Sequence, residues 1–414
     1  MKNFALHIPE GVKDYIGEEA ALKERIQNTV KTIFRTNSYN LVETPSFEYL
    51  DVFLIGEETF QQPSLYHFVS RQGELMALRS DMTRSIARVI GTQNKETFPL
   101  QRFCYLSNNF RYPERYQGKL HEFTQAGIEL IGSERLEADA EVIKVAVKCL
   151  QEVGVSDFTV HIGSGTFLKS ILEDLGLEGT EADQVFKAIE AKDAVQLKKV
   201  LKGTQMEAEV VEPILELIQC SGQIQLLRSV KAKMPSSKAK EALEKMEQLY
   251  DLLEDYGVNE YVVFDFSLMS YGKYYTGMMF QIFTHGVGSA LVEGGRYDQL
   301  LKKGDKNLPA VGFGMHIQLV IQRLLSQKPL RQNQSNRTLV VSTTVTRKVC
   351  QEVSDHLRAQ NLIIEKYLSD DLQEALSYAK QVGMGGVLYF KQGEQVEVYN
   401  LEKGTVEQTT INQL

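Results

Sequence analysis

The 414-residue chain is poor in cysteine, in positive charge and in long apolar runs, and each shortage removes a class of function. Its four cysteines (Cys104, Cys149, Cys220 and Cys350) stand far apart, with no C-x-x-C pair and no histidine at ligand spacing. Neither a zinc site nor a disulfide framework is suggested, and buried reduced thiols are expected. Acidic residues outnumber basic ones by 54 to 46, a formal charge of -8. That balance offers no overall basic footprint to nucleic acid or to an anionic membrane. No stretch approaches the ~18 consecutive apolar residues of a membrane span. The opening "MKNFALHIPEGVKDY" also lacks the continuous apolar segment of a secretion signal. A cytoplasmic protein without metal or cofactor is expected.

What is present is ordinary globular material, 43% hydrophobic and 24% charged, in a length that suits about two or three domains. Residues 18–37 place apolar side chains at helical spacing, and "NLVETPSFEY" follows as a short strand broken by Pro45. "SLYHFVSRQGELMALRSDMTRSIARVIG" alternates up to a turn at Gly73 and again to Asp81, which predicts a hairpin whose second strand enters a helix near Met82. "PLQRFCYLSNNFRYPERYQGKLHEFTQAGIELIG" predicts strand, polar loop and strand once more. These are antiparallel pairings rather than βαβ units.

An amphipathic helix is predicted over 134–152, then the strand "DFTVHIGS". Residues 166–255 carry Leu/Ile/Val/Ala and Lys/Glu patterns with few β-branched runs and predict an all-helical insertion. Strand patterns return at "YVVFDFSLM", "MMFQIF", "ALVEGGRYDQLL" and "AVGFGMH", the last entering a helix. The glycine pair of "GFG" at 312–314 is too little for a nucleotide loop and predicts a backbone bend in a strand. Residues 326–337 have linker composition. Beyond them the predicted order is β-α-β-α-β-β, with helices over 347–359 and 371–382. From 337 onward, 8 basic residues face 10 acidic ones, a poor balance for gripping a phosphate backbone.

Six motifs in order resemble the histidyl-tRNA synthetase branch of the class II aminoacyl-tRNA synthetases. "IPEGVKD" at 8–14 resembles the family's opening segment, and "ETPSFE" at 43–48 its dimer-interface motif 1. "LRSDMT" at 78–83 resembles "LRPEGT", and "FR" at 110–111 opens motif 2. "FTQAGIELIG" at 123–132 resembles "FHQFGVEVIG", and "EGGRYDQL" at 293–300 resembles "GGGRYDGL". The resemblance implies an α+β fold: a class II synthetase-like antiparallel sheet flanked by helices over 1–330, with the helical insertion at about 166–255. A small α/β domain at 337–414 would resemble a shortened anticodon-binding domain. It also implies dimerisation through the segment holding Pro45.

In that family arginines meet the charge that gathers when a carboxylate attacks the α-phosphate of ATP. Arg111 fills the motif 2 position. Motif 3, "GFAIGLERL", reads "GFGMHIQLV" here, with Gln318 for the Glu and Leu319 for the Arg. The Arg of "LVRGLDYYTG" aligns with Ser270 and its Asp with Lys273, while Pro113 takes a motif 2 Glu position. One missing donor of this kind typically lowers a rate by ~10²–10³. Arg323 lies four residues past Leu319, about 6 Å further along a helix, too far to replace it.

The amino-acid pocket is better kept. By position, the resemblance implies that Asp81, Thr83, Arg111, Gln125, Glu129, Tyr274 and Tyr275 bind a histidine-like ligand, with none of them catalytic. Outside that frame the tyrosines would be strand core and Glu129 a solvated strand residue. A buried Glu129 needs partners, and a ligand imidazole with a second polar group would supply them. His316, in place of a motif 3 Gly, is either a ligand contact or a packed or solvent-facing histidine, and His121 beside motif 2 is uninformative.

A synthetase-like body that keeps the pocket, lacks the arginines and carries an acidic tail resembles the regulatory subunits of ATP phosphoribosyltransferase. That resemblance implies a non-catalytic role in the first step of L-histidine biosynthesis. The partner would be a short-form ATP phosphoribosyltransferase catalytic subunit, held in a hetero-octamer, and L-histidine would act as feedback ligand. The alternatives are a working histidyl-tRNA synthetase and a tRNA-binding module, and the acidic tail argues against the second.

Overall fold

The computed structural model describes all residues except 1–5, 55–64, 93–99, 113–119, 175, 178, 192, 204–220, 234–236, 269–274, 304–305, 328–334 and 392–393. The chain divides into two compact units, Met1–Gln327 and Lys328–Leu414.

The first unit is built on a nine-stranded sheet. Its strands run, edge to edge, Asn40–Leu41, Gln101–Phe110, Glu122–Ile131, Ala310–His316, Val292–Arg296, Met278–Thr284, Phe158–Ser164, Val262–Asp265 and Ser221–Gly222. All neighbours pair antiparallel except the first pair and the Phe158–Ser164/Val262–Asp265 pair. Period-two alternation gives the central strands two different faces. Ala126, Ile128 and Leu130 join Val311, Phe313 and Met315 in the main core. The intervening residues, Gln125, Gly127 and Glu129 with Gly312 and Gly314, face the other way.

The helix Gly17–Thr36 packs into that core because Leu22, Ile26, Val30 and Ile33 recur on one side of it, and all four are buried. Phe34 meets Phe313 edge-on at 6.1 Å. Burying a side chain of this size contributes roughly 1.5–3 kcal/mol. The helix Leu136–Val153 lies in the same core and is pinned by two polar clamps. Arg102 grips Glu141 through two bonds of 2.8 Å while the Tyr39 hydroxyl donates to the same carboxylate. Arg296, on the sheet, donates to Asp139 at 3.0 and 2.5 Å and to the Ser133 carbonyl at 2.8 Å.

A separate three-stranded sheet orders Phe47–Tyr49, Leu75–Leu78 and His67–Val69. The predicted hairpin turns at Gly73, whose φ of +88° favours glycine, and the helix Met82–Thr92 begins where the sequence places it. The second hairpin strand ends at Leu78 rather than Asp81, because Arg79 turns inward to hold the Thr44 carbonyl at 2.7 Å.

Over 166–255 the described helices are Gly165–Asp174, Gly179–Glu190, Ala194–Gly203, Ile224–Lys233 and Ser237–Asp255. The expectation of an all-helical segment fails at Ser221–Gly222, a two-residue edge strand too short to carry any periodicity. The "GFG" bend is also absent. Ala310–His316 pairs in unbroken register on both sides.

The second unit is a five-stranded sheet ordered Ile363–Lys366, Ser335–Ser342, Met384–Phe390, Gln395–Asn400 and Thr405–Thr410, the first three parallel. The helices Arg347–Ala359 and Leu372–Gln381 accompany it, the second started by Asp371, whose carboxylate accepts from the Gln373 and Glu374 amides. The last strand adds one to the expected order. "TVEQTT" is almost wholly polar because it forms an exposed edge, so nothing apolar marks it. No helix among the described residues is long and apolar enough to cross a membrane.

Candidate functional site

The face of the central strands turned away from the main core carries a small, partly open cavity of about 50 Å³. Asp81, Thr83, Arg111, Gln125, Glu129 and Tyr275 line it, so six of the seven residues expected from the sequence share one space. The seventh, Tyr274, lies outside the described residues, as do Pro113, Ser270 and Lys273.

Each side chain arrives by a local cause. Asp81 precedes the helix Met82–Thr92 and caps it, accepting from the Arg84 amide at 3.1 Å. One turn of that helix carries Thr83 onto the sheet, where its hydroxyl donates to Glu129 at 2.7 Å. Gln125 and Glu129 share a face because they are four residues apart on one strand. The two glycines opposite make room for them. A Cβ on Gly312 would collide with the Glu129 carboxylate, and one on Gly314 with the Gln125 amide. This, not a bend, explains "GFG".

Glu129 is only 1% exposed. Desolvation pushes its carboxyl up to about 8, against the opposing pull of the bonds from Tyr297 and Thr83. The partners expected for it are those of a ligand. Instead the chain supplies two hydroxyls, Thr83 on one oxygen and Tyr297 on the other. Tyr297, Tyr105 and Glu293 also line the cavity, and the sequence reading does not single them out as site residues. The signal for two of them is present in "EGGRYDQL", a segment that serves fold and cavity together. Its Arg296 clamps the helix, its Tyr297 reaches Glu129, and its Asp298 accepts from the Ala310 amide at 3.0 Å.

Gln125 is oriented by Asn109, whose amide nitrogen donates to its oxygen at 2.6 Å. Arg111 donates to the Ser80 carbonyl at 2.9 Å, and its guanidinium stands over the Phe123 ring at 5.3 Å. Among the described residues it forms no ion pair. His316 packs against the same Phe123 ring, tilted by 32° at 4.8 Å between centroids, so it is a packed histidine. His121 bonds the Tyr66 hydroxyl through Nδ1 at 2.5 Å and packs against Tyr112.

The motif 3 positions face elsewhere. Leu319 packs against the main core, and the Gln318 amide oxygen accepts from the Thr124 backbone at 2.9 Å. Arg323 is committed to Asp157 at 2.5 Å and holds that carboxyl below its ordinary range. Cys104, Cys149 and Cys350 are buried free thiols, and Cys220 lies outside the described residues. The cavity thus offers buried polar groups at both ends of a small ligand, with Arg111 as its cation.

Residues 11–320 match the histidyl-tRNA synthetase family. The ATP phosphoribosyltransferase regulatory subunit of Acetivibrio thermocellus is 35% identical, the match covering 100% of this chain and 99% of that protein. The protein of the same name from Thermoanaerobacter pseudethanolicus is 34% identical over 87% of this chain and 94% of its own. A crystal structure from Bacillus halodurans, described as an ATP phosphoribosyltransferase regulatory subunit/histidyl-tRNA synthetase, superposes with a TM-score of 0.83 at 28% identity, covering 95% of this chain and 100% of that one. Histidyl-tRNA synthetase from Nostoc also reaches 0.83, at 19% identity and covering 99% and 97% of the two chains, which shows the shared fold alone. The α+β body is therefore class II synthetase-like, and the chain belongs to the family of ATP phosphoribosyltransferase regulatory subunits, relatives of histidyl-tRNA synthetase.

Proposed function

We propose that the chain is a non-catalytic subunit that activates a short-form ATP phosphoribosyltransferase catalytic chain in the first step of L-histidine biosynthesis, and that it senses L-histidine in the cavity around Glu129. The observation that carries this reading is an asymmetry. Asp81, Gln125, Glu129 and Tyr275 line the cavity, while the motif 3 position that would clamp triphosphate is Leu319, half-buried against the main core. Adenylation needs preorganised cations at the α-phosphate, and Arg323 is engaged by Asp157. Without them the body is a binding scaffold.

Feedback requires a ligand with different affinities for two states of an assembly, and histidine held in the cavity would bias them. The assembly is a cytoplasmic hetero-octamer in this reading, its pairs of regulatory chains joined through the three-stranded sheet. Support for that contact comes from Phe47, Tyr49 and Phe68, which share one sheet face and are each more than 40% exposed. A contiguous apolar face of this kind suits an isologous contact with a second copy.

The test is calorimetry with L-histidine on the full chain, alone and with the catalytic chain, paired with histidine-dependent pyrophosphate exchange. Binding without ATP, weakened in Glu129→Gln, and no exchange are expected. Equal binding to both proteins would make the cavity a relic, and exchange would make the chain a synthetase.

A further inference from the structure

The motif position where the resembled family has its first glycine is Glu293 here, and Glu293 lines the cavity. Strand register fixes where it stands. Glu293 lies directly opposite Gly314, and Gly314 directly opposite Gly127. On its other side Glu293 faces Gln281, whose amide nitrogen donates to one carboxylate oxygen at 2.9 Å. Gln125 reaches over Gly314 from the opposite strand, since a Cβ there would strike its amide nitrogen. One end of the cavity is therefore flanked by the Gln125 amide and the Glu293 carboxylate across a glycine.

The other end is the Glu129 carboxyl with Tyr297, standing over Gly312. Gly312 and Gly314 are two residues apart on one strand, so the two ends are separated by about 7 Å. Besides the buried Glu129, whose carboxyl is pushed up to about 8, Asp81 and Glu293 are the acidic groups of the lining and Arg111 its cation. Such a cavity suits a short ligand carrying a cationic group and a single carboxylate, and it opposes a polyphosphate.

We infer that Glu293 determines specificity in this cavity by taking the ammonium group of the ligand at the end opposite Glu129, so that an amino acid is selected over its uncharged or anionic analogues. The inference rests on the histidine reading of the cavity and adds to it a residue that the synthetase-like motif does not supply. Glu293 is exposed to solvent at the cavity mouth, so its replacement leaves the core undisturbed.

The test compares L-histidine with imidazolelactate, in which a hydroxyl replaces the ammonium group, by calorimetry on the full chain with and without the catalytic chain. Wild type, Glu293→Gln and Asp81→Asn are titrated, and thermal melts check that each is folded. The preference for histidine over imidazolelactate is expected to fall by roughly tenfold or more in Glu293→Gln. If histidine binds and that ratio stays within about twofold of wild type in Glu293→Gln, the inference is overturned. Collapse of the ratio in Asp81→Asn alone overturns it as well, by assigning the ammonium group to Asp81. Failure of wild type to bind histidine in either form removes the cavity reading itself and this inference with it.

Discussion

Replacing Glu129 by glutamine should change how stability depends on pH more than it changes stability itself. In the ligand-free chain the Glu129 carboxyl is raised from 4.5 to about 8, chiefly by burial. Its folded value lies above its unfolded one, so the folded state holds a proton that the unfolded state has released. The stability this group supplies is fully present below about pH 4.5 and is lost as pH rises through about 8. The slope is about 1.4 kcal/mol per pH unit across that window, and the whole loss is on the order of 5 kcal/mol before relaxation of the site reduces it. The amide of Glu129→Gln has no proton to lose. Near pH 5 the two side chains are both neutral and of similar size, so the proteins should differ by only about 1 kcal/mol, the worth of one rearranged hydroxyl bond. By pH 8.5 the variant should be the more stable. Urea unfolding at half-unit pH steps, without histidine, measures both curves. Parallel curves would refute the reasoning, because they would mean that Glu129 is solvated or that another cation neutralises it.

Four further outcomes follow from the packing. Arg296→Met should destabilise the first unit by roughly 3–5 kcal/mol in urea, because it strands the buried Asp139 carboxylate that Arg296 holds at 2.5 Å. Gly312→Ala should cost roughly 2–3 kcal/mol and abolish histidine binding, since its Cβ collides with Glu129 and with the Ile128 backbone. Gly314→Ala, which meets only the far end of the Gln125 side chain among the nearest atoms, should cost less in the same melts. Phe47→Lys with Phe68→Lys should give a monomer by light scattering at micromolar concentration with unchanged melting, and a dimer that survives both changes would move the interface elsewhere.

Much of the first unit is legible because its strands are half-buried. Alternation on both sides of the glycine at 73 is enough to set a hairpin, alternation along 101–110 and 122–131 sets a second antiparallel pair, and a polar residue ahead of Met82 is enough to start a helix. The candidate site is legible for a different reason. Gln125 and Glu129 interrupt an otherwise apolar strand at one parity, and Asp81 and Thr83 bracket a helix start, so period and capping bring four polar groups to one face. Three features stay hidden. Thr405–Thr410 is an edge strand with nothing to bury. Tyr105 carries no polar neighbour in sequence to distinguish it from core, and it does pack in a buried cluster. The glycines at 312 and 314 suggest a bend along the chain, but their reason lies across the sheet, in side chains whose positions depend on register.

In the proposed role the chain does no chemistry alone and is seen through the catalytic partner it would activate. The most direct measurement is phosphoribosyl transfer to ATP by a short-form catalytic chain titrated with this protein, with and without L-histidine. The expected result is little turnover by the catalytic chain alone, a rise that saturates as a complex of fixed stoichiometry forms, and inhibition by histidine that Glu129→Gln weakens. Full activity of the catalytic chain without this protein, with no complex on co-elution, would contradict the proposed role.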